Sequence, residues 1–127
     1  MRMLLAAMLA LPVPAVAETP MTGPEFADRM TGKTLTFSAN GQPYGVEYYA
    51  PSQRVIWSFL DGACIEGEWY AEDRAICFVY EGDPDPKCWK VYDADDGIRA
   101  EFLDDGGSAI LYEVEDGEPL ICDNMGS

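Results

Sequence analysis

The sequence predicts an all-β protein: an antiparallel meander of about eight strands that closes into a small, lipocalin-like barrel. Eight runs alternate apolar and polar side chains with a period of two, which is typical of half-buried strands and not of helices. Short turns join nearly all consecutive runs, as in a meander. Closure would remove the exposed edges. A curled sheet or a two-layer β-sandwich is the alternative.

The first 17 residues have the pattern of a secretory signal peptide. Arg2 precedes an apolar run over residues 3–11, and residues 15–17 form an A-x-A cleavage site before Glu18. The run is shorter than the roughly 20 residues that a membrane span requires. We therefore expect residues 18–127 to form one domain, located in the periplasm or secreted.

A capping box predicts one short helix at the start of this domain. Thr22 is a hydroxyl N-cap, Glu25 stands three residues later, and Pro24 falls inside the first turn. Phe26 and Met30 lie on one side of this helix. They are expected to pack on the sheet or to plug an open end of the barrel.

The eight alternating runs follow the helix. They cover residues 34–38, 46–50, 54–59, 64–70, 76–80, 88–91, 98–102 and 110–115. In the second run the apolar set is Val46, Tyr48 and Ala50, so Glu47 and Tyr49 are expected on the opposite, polar face.

Four aromatic residues are expected in the core: Trp57, Trp69, Phe78 and Trp89. The predicted registers place Trp69 opposite Ile76, and Ile76 opposite Trp89. A packed core is the simpler interpretation of these inward aromatic residues. The alternative is a barrel whose mouth holds an apolar or aromatic ligand.

Four cysteines in an exported chain predict two disulfide bonds, with three possible connectivities. A turn at residues 72–73 would place Cys77 opposite Glu68. Cys64 would then be about 13 Å away along the strand, beyond the roughly 7 Å that a disulfide tolerates between Cα atoms.

The next hairpin supplies a partner for Cys77. A four-residue turn over 81–84 would place Cys77 opposite Cys88. We therefore predict the bonds Cys77–Cys88 and Cys64–Cys122, as staples on the outer face of the sheet.

The chain has a net charge of −15 and no histidine. Nucleic acids and anionic membranes bind clustered Lys and Arg, so neither is an expected partner. A small apolar ligand or a cationic protein is expected instead. The lack of histidine removes the usual general base and the commonest metal ligand. No cofactor is predicted.

Acidic residues offer two further hypotheses. Glu66 and Glu68 project from one strand face, and paired carboxylates can hydrolyse glycosides. The turns over 93–97 and 104–107 could bind calcium. A solvated strand face and ordinary Asp-Gly hairpin turns are the simpler interpretations, so the sequence predicts neither a catalytic site nor a metal site.

The central strands carry the motifs Gly67-x-Trp69, Ile76-Cys77-Phe78-x-Tyr80 and Cys88-Trp89. Together these motifs resemble the core of a family of small secreted alphaproteobacterial proteins, over residues 22–122. The resemblance implies an exported, disulfide-bonded β domain and supplies no activity or catalytic residue. The first motif also resembles the G-x-W of lipocalins, but it stands in the fourth strand and not the first.

The leading functional hypothesis is an exported, non-catalytic binding module. Its basis is an acidic, disulfide-stapled β domain without a recognisable chemical constellation. The first alternative is an acidic periplasmic inhibitor of a cationic enzyme, such as a lysozyme or a protease. The second is a carboxylate-based hydrolase.

Overall fold

The computed structural model describes residues 3–11, 18–104 and 109–125. Its elements are α1 (Gly23–Met30), β1 (Thr34–Ala39), β2 (Gln42–Ala50), β3 (Arg54–Ser58), β4 (Ile65–Glu72), β5 (Ala75–Tyr80), β6 (Asp83–Ala94), β7 (Gly97–Phe102) and β8 (Ile110–Val114). The cleavage site expected at residues 15–17 lies outside the described residues. Within them, no helix has the length and apolar character needed to cross a membrane.

The eight strands form a closed antiparallel barrel. Each strand pairs with the next one along the chain, and β8 pairs with β1. The predicted fold class is therefore confirmed. Two strands begin earlier than expected, because β2 starts at Gln42 and β6 at Asp83.

The β4–β5 hairpin differs from its predicted register by two residues. The turn consists of Asp73 and Arg74, whose φ angles of 46° and 62° are both left-handed, so Glu72 pairs with Ala75. This is the backbone that favours two-residue hairpins. The predicted turn at residues 72–73 is wrong, but a two-residue displacement leaves every side chain on its predicted face.

The same displacement changes the cross-strand partners. Trp69 lies opposite Phe78, and the predicted pair of Trp69 with Ile76 is wrong. The pair of Ile76 with Trp89 is confirmed, because it belongs to the next hairpin.

A bulge corrects the register of the β5–β6 hairpin. The turn has two residues and not four, so Tyr80 pairs with Asp83. Residues 84–86 then lie opposite Val79 alone, and two of them are prolines without an N–H to donate. Beyond this bulge the strands return to the predicted register.

Both predicted disulfide bonds are present. Cys77–Cys88 has a Cα separation of 4.0 Å, and Cys64–Cys122 has one of 5.2 Å. Cys64 and Cys77 are buried, although the sequence suggested external staples. Two disulfides indicate an oxidising, extracytoplasmic environment.

The segment that follows β8, residues 115–125, covers part of the outer face of the barrel. The Thr36 hydroxyl donates a 2.7 Å hydrogen bond to the Glu118 carbonyl, and the second disulfide ties the segment to the loop before β4. Thr36, Val46 and Ser58 are cross-strand neighbours and are all buried. Near Thr36, the outer face of β1, β2 and β3 is therefore buried and not exposed to solvent.

Helix α1 closes one end of the barrel. The predicted capping box is present, and both Phe26 and Met30 are only 1% exposed. The Phe26 ring packs edge-on against Trp69 and Tyr49, with centroid distances of 4.9 and 5.6 Å. Of the two predicted roles for this helix face, the structure shows the plug.

Candidate ligand-binding cavity

The interior of the barrel contains a cavity of about 460 Å³. Phe26 and Met30 of α1 form its floor. At the opposite end, Glu81 of the β5–β6 turn and Asp83 at the start of β6 line its mouth. The barrel is thus hollow, and the helix closes one of its ends.

Three aromatic residues form what we call the aromatic rim: Tyr44 of β2, Trp57 of β3 and Phe59, which directly follows β3. Their ring centroids lie between 5.3 and 5.7 Å apart. Tyr44 is 37% exposed and Phe59 is 52% exposed, although both line the cavity. On the opposite wall, Trp89 of β6 and Phe102 of β7 pack with a centroid distance of 4.8 Å.

The predicted core aromatics divide into two groups. Trp57, Trp69 and Phe78 are buried, as expected, and Trp57 and Phe78 also line the cavity. Trp89 is only partly buried, so its predicted place at the centre of the core is wrong. Trp89 belongs to the wall formed by β6 and β7, where its neighbour Phe102 is also only partly buried.

Strand β2 directs a carboxyl group into this apolar cavity. Glu47 is 3% exposed, lines the cavity and lies opposite Leu35 on β1 and Trp57 on β3. The prediction that Glu47 and Tyr49 face solvent is wrong, because both belong to the inward row.

A β-bulge is the physical reason for this reversal. Ala39 pairs with Gln42 at the turn, but Phe37 pairs with Gly45, so Tyr44 is an extra residue in β2. One inserted residue moves all following side chains to the opposite face. The inward positions after the bulge are therefore 47 and 49, and not 46, 48 and 50.

A tyrosine holds the Glu47 side chain. The Tyr80 hydroxyl donates a 2.5 Å hydrogen bond to Oε2 of Glu47. Burial raises the pKa of Glu47 to about 7, while the hydroxyl groups of Tyr80 and Tyr49 act to lower it. Burial, followed by the charge of Glu47, raises the pKa of both tyrosines well above 10.

Gly67 of the G-x-W motif makes room for Tyr80. The two residues pair across β4 and β5, and a Cβ at Gly67 would lie 2.7 Å from Cδ1 of Tyr80 and 2.7 Å from the carbonyl oxygen of Val79. A side chain at this position would therefore displace Tyr80 from Glu47. Gly45 similarly accommodates the ring of Trp57.

No basic side chain of the described residues neutralises Glu47. No Lys or Arg nitrogen among them lies within 4.0 Å of its carboxylate. Lys87 lines the cavity, but its Nζ lies 3.0 Å from Asp83 at the mouth. Arg29 at the closed end pairs with Asp93 and approaches Glu113.

The carboxylates proposed from the sequence lie elsewhere. Glu66 and Glu68 are on the outer face of β4, and Glu68 is paired at 3.3 Å with Arg54. Neither lines the cavity that contains Glu47. The described residues contain no group of three or more acidic or Cys residues that could hold a metal ion, and the acidic turn at 104–107 is described only at Asp104.

Comparisons of this chain with protein-family models, with curated protein sequences and with solved structures return no match.

Proposed function

We propose that this chain is an exported, non-catalytic binding protein that holds a small apolar ligand inside its barrel. The observation that carries the proposal is the cavity of about 460 Å³ with mainly apolar and aromatic walls. Ligand sites of about 300–1,000 Å³ with a few polar groups are typical of small-molecule binding. Eight-stranded barrels are wide enough to hold one such ligand.

The asymmetry of the barrel supports the same function. The helix plug closes the floor, whereas the aromatic rim exposes large apolar side chains at the mouth. Exposed aromatic surface contributes less to stability than buried surface does, but it provides contacts for an entering ligand.

Export is part of the proposal. Its support is the signal-peptide pattern of residues 1–17 together with the two disulfide bonds. Mass spectrometry of the protein from a periplasmic or culture fraction should show Glu18 as the N-terminus. An intact Met1 in that fraction would contradict it.

Ligand binding is tested with N-phenyl-1-naphthylamine, a neutral apolar probe whose fluorescence increases in a dry site. We expect saturable binding of about one probe per chain. Ala100 is buried, lines the cavity and lies between Val91 and Leu111. Ala100→Phe should fill part of the cavity and weaken binding at least about tenfold, because the added ring and the probe would need the same space.

The matched control is Ala63→Phe, which adds the same side chain at an exposed loop position. It should bind the probe like the unmodified protein. Circular dichroism checks that both variants keep the β fold. If the unmodified protein does not bind the probe, or if both variants bind it equally well, the cavity is not a ligand site.

Inhibition of a cationic enzyme is the second candidate. It is favoured by the charge of −15 and by the exposed acidic residues of the β5–β6 turn region, including Asp83 and Asp85. Inhibition of lysozyme that disappears at high salt, and that Ala100→Phe leaves unchanged, would favour this candidate over ligand binding.

A further inference from the structure

We propose that the ligand of this cavity is an apolar molecule bearing a protonated amine, and that Glu47 binds the amine. This inference rests on the proposed function, because it specifies the chemical class of the ligand for the same cavity. It requires Glu47 to face the cavity, to have free acceptor capacity and to lack a basic partner from the protein itself.

The geometry meets these requirements. Glu47 is part of the cavity wall and is almost inaccessible to solvent. A carboxylate has about four acceptor positions, and among the described residues Tyr80 donates a hydrogen bond to it. No Lys or Arg of the described chain pairs with it. Acceptor positions therefore remain for a donor that enters the cavity.

The energetics favour a charged donor. A buried carboxylate is costly unless it is paired, because the apolar surroundings do not replace its hydration. In this protein that cost is incurred on folding, before any ligand binds. An ammonium group that reaches Glu47 loses its own hydration but gains a charge-assisted hydrogen bond in surroundings of low dielectric constant. A neutral ligand of the same shape gains no such interaction.

Tyr80 and Gly67 fix the position of the carboxylate. Tyr80 holds Oε2 at 2.5 Å, and Gly67 leaves the space that the Tyr80 ring occupies. A carboxylate that is already oriented loses little conformational freedom on binding. The cavity thus presents an anchored acceptor within an apolar wall.

The surroundings of the cavity favour cations as well. Trp57 is the cross-strand partner of Glu47 and lines the same cavity, and aromatic faces attract ammonium groups. Glu81 and Asp83 line the mouth, and the whole chain carries a charge of −15. Negative potential at an entrance raises the local concentration of cationic ligands.

Ionisation of Glu47 should control the affinity. Its pKa of about 7 means that it is mostly neutral at pH 6 and mostly ionised at pH 8. The charged and titratable groups that share its cavity are Tyr44 and Tyr49 on β2, Tyr80 on β5, Glu81 in the turn after β5, and Asp83 and Lys87 on β6. The charge of Glu113 on β8, which Arg29 of α1 approaches, acts on Tyr49. The chain has no histidine that would titrate in the same range.

The experiment compares 2-(1-naphthyl)ethylamine with 2-(1-naphthyl)ethanol by isothermal titration calorimetry. The two probes share one apolar body, and the amine stays protonated below about pH 9, as alkylamines do. We expect the amine to bind at least about tenfold more tightly than the alcohol at pH 8. Its affinity should fall about tenfold at pH 6, as Glu47 is protonated, whereas that of the alcohol should not fall.

Glu47→Gln keeps the shape of the side chain and removes its charge. It should bind both probes about equally, at pH 8 and at pH 6. The matched control is Glu68→Gln, which makes the same change on the outer face, where Glu68 is 70% exposed. It should retain the preference for the amine.

The outcomes separate this inference from the proposed function. Equal affinities for amine and alcohol in the unmodified protein, or a preference that persists in Glu47→Gln, overturn the amine assignment and leave the ligand cavity standing. Failure of both probes and of N-phenyl-1-naphthylamine to bind overturns both proposals. If Glu47→Gln does not fold, the pH comparison on the unmodified protein decides: a preference that is the same at pH 6 and pH 8 overturns the inference.

Discussion

The two ends of the barrel use the same kind of residue in opposite ways. At the closed end, Phe26 is 1% exposed and packs against Trp69 and Tyr49. At the open end, Phe59 is 52% exposed and packs against its rim neighbours Tyr44 and Trp57. The closed end therefore contributes stability, whereas the open end leaves aromatic surface exposed to the proposed ligand.

The largest expected effect is the difference in stability between the variants in which one of these two phenylalanines is truncated. Phe26→Ala removes a fully buried ring and should lower the free energy of unfolding by about 3–5 kcal/mol. Phe59→Ala removes a half-exposed ring and should cost less than about 1 kcal/mol. Urea denaturation at one pH measures both.

In ligand binding, Phe59→Ala should have a clear effect although its effect on stability is small. Phe59→Ala should weaken binding of N-phenyl-1-naphthylamine, because the rim loses one of its three rings. Equal losses of stability at the two ends would show that the rim is part of the structural core.

The second prediction concerns the carboxyl group between the two ends. The pKa of Glu47 is raised from 4.5 to about 7 in the folded protein. Between these values the folded state binds more protons than the unfolded state, so stability is lost as the pH rises. From pH 5 to pH 8 this group should lower the free energy of unfolding by about 2–3 kcal/mol. Glu47→Gln should remove that decrease.

Urea denaturation of both proteins at pH 5 and pH 8 measures this effect. The difference between unmodified protein and Glu47→Gln isolates it from the repulsion among the other acidic residues, which also grows with pH. Hydrogen bonds from partner groups lower the pKa of Glu18, Glu25 and Asp83. Their stabilisation is lost only as the pH falls below their usual range, outside this window. Parallel pH profiles for the two proteins would refute the prediction.

The barrel itself could be predicted from the sequence, because the signals for it are local. Period-two alternation identified all eight strands, and short turns such as Asn40-Gly41 join them. The β4–β5 register was wrong by two residues, yet the faces were right, since side chains repeat every two residues. The Cys77–Cys88 pair was predicted correctly because the bulge at residues 84–86 compensates for the shorter turn.

Glu47 was missed because a single inserted residue changes the parity of β2. Without the bulge, Leu35 would pair with Val46, and the apolar row would be the inward one. Val46 is nonetheless buried, on the outer face. The apolar character of this position therefore gave no sign that the predicted face was wrong. The sequence did contain a signal, since Pro43 and Gly45 flank Tyr44, and both residue types mark bulges when they occur in strands.

The cavity could not be predicted from the sequence, because alternation specifies faces and not volumes. The same inward aromatic residues can fill a barrel or line a hollow one, depending on strand tilt and stagger. Trp89 illustrates this: its inward face and its partner Ile76 were predicted correctly, but not its incomplete burial.

The smallest predicted effect on stability is that of removing the charge of Glu68, which lies on the outer face and pairs with Arg54. Glu68 lies 3.3 Å from Arg54, but the two side chains are 70% and 51% exposed. Water and salt screen such pairs, so Glu68→Gln should change the free energy of unfolding by less than about 1 kcal/mol, at pH 5 and at pH 8 alike. Glu47→Gln has the same chemical change and should stabilise the protein at pH 8, because it removes a buried charge without a basic partner. If Glu68→Gln proved as pH-dependent as Glu47→Gln, the effect would come from net charge and not from the burial of Glu47.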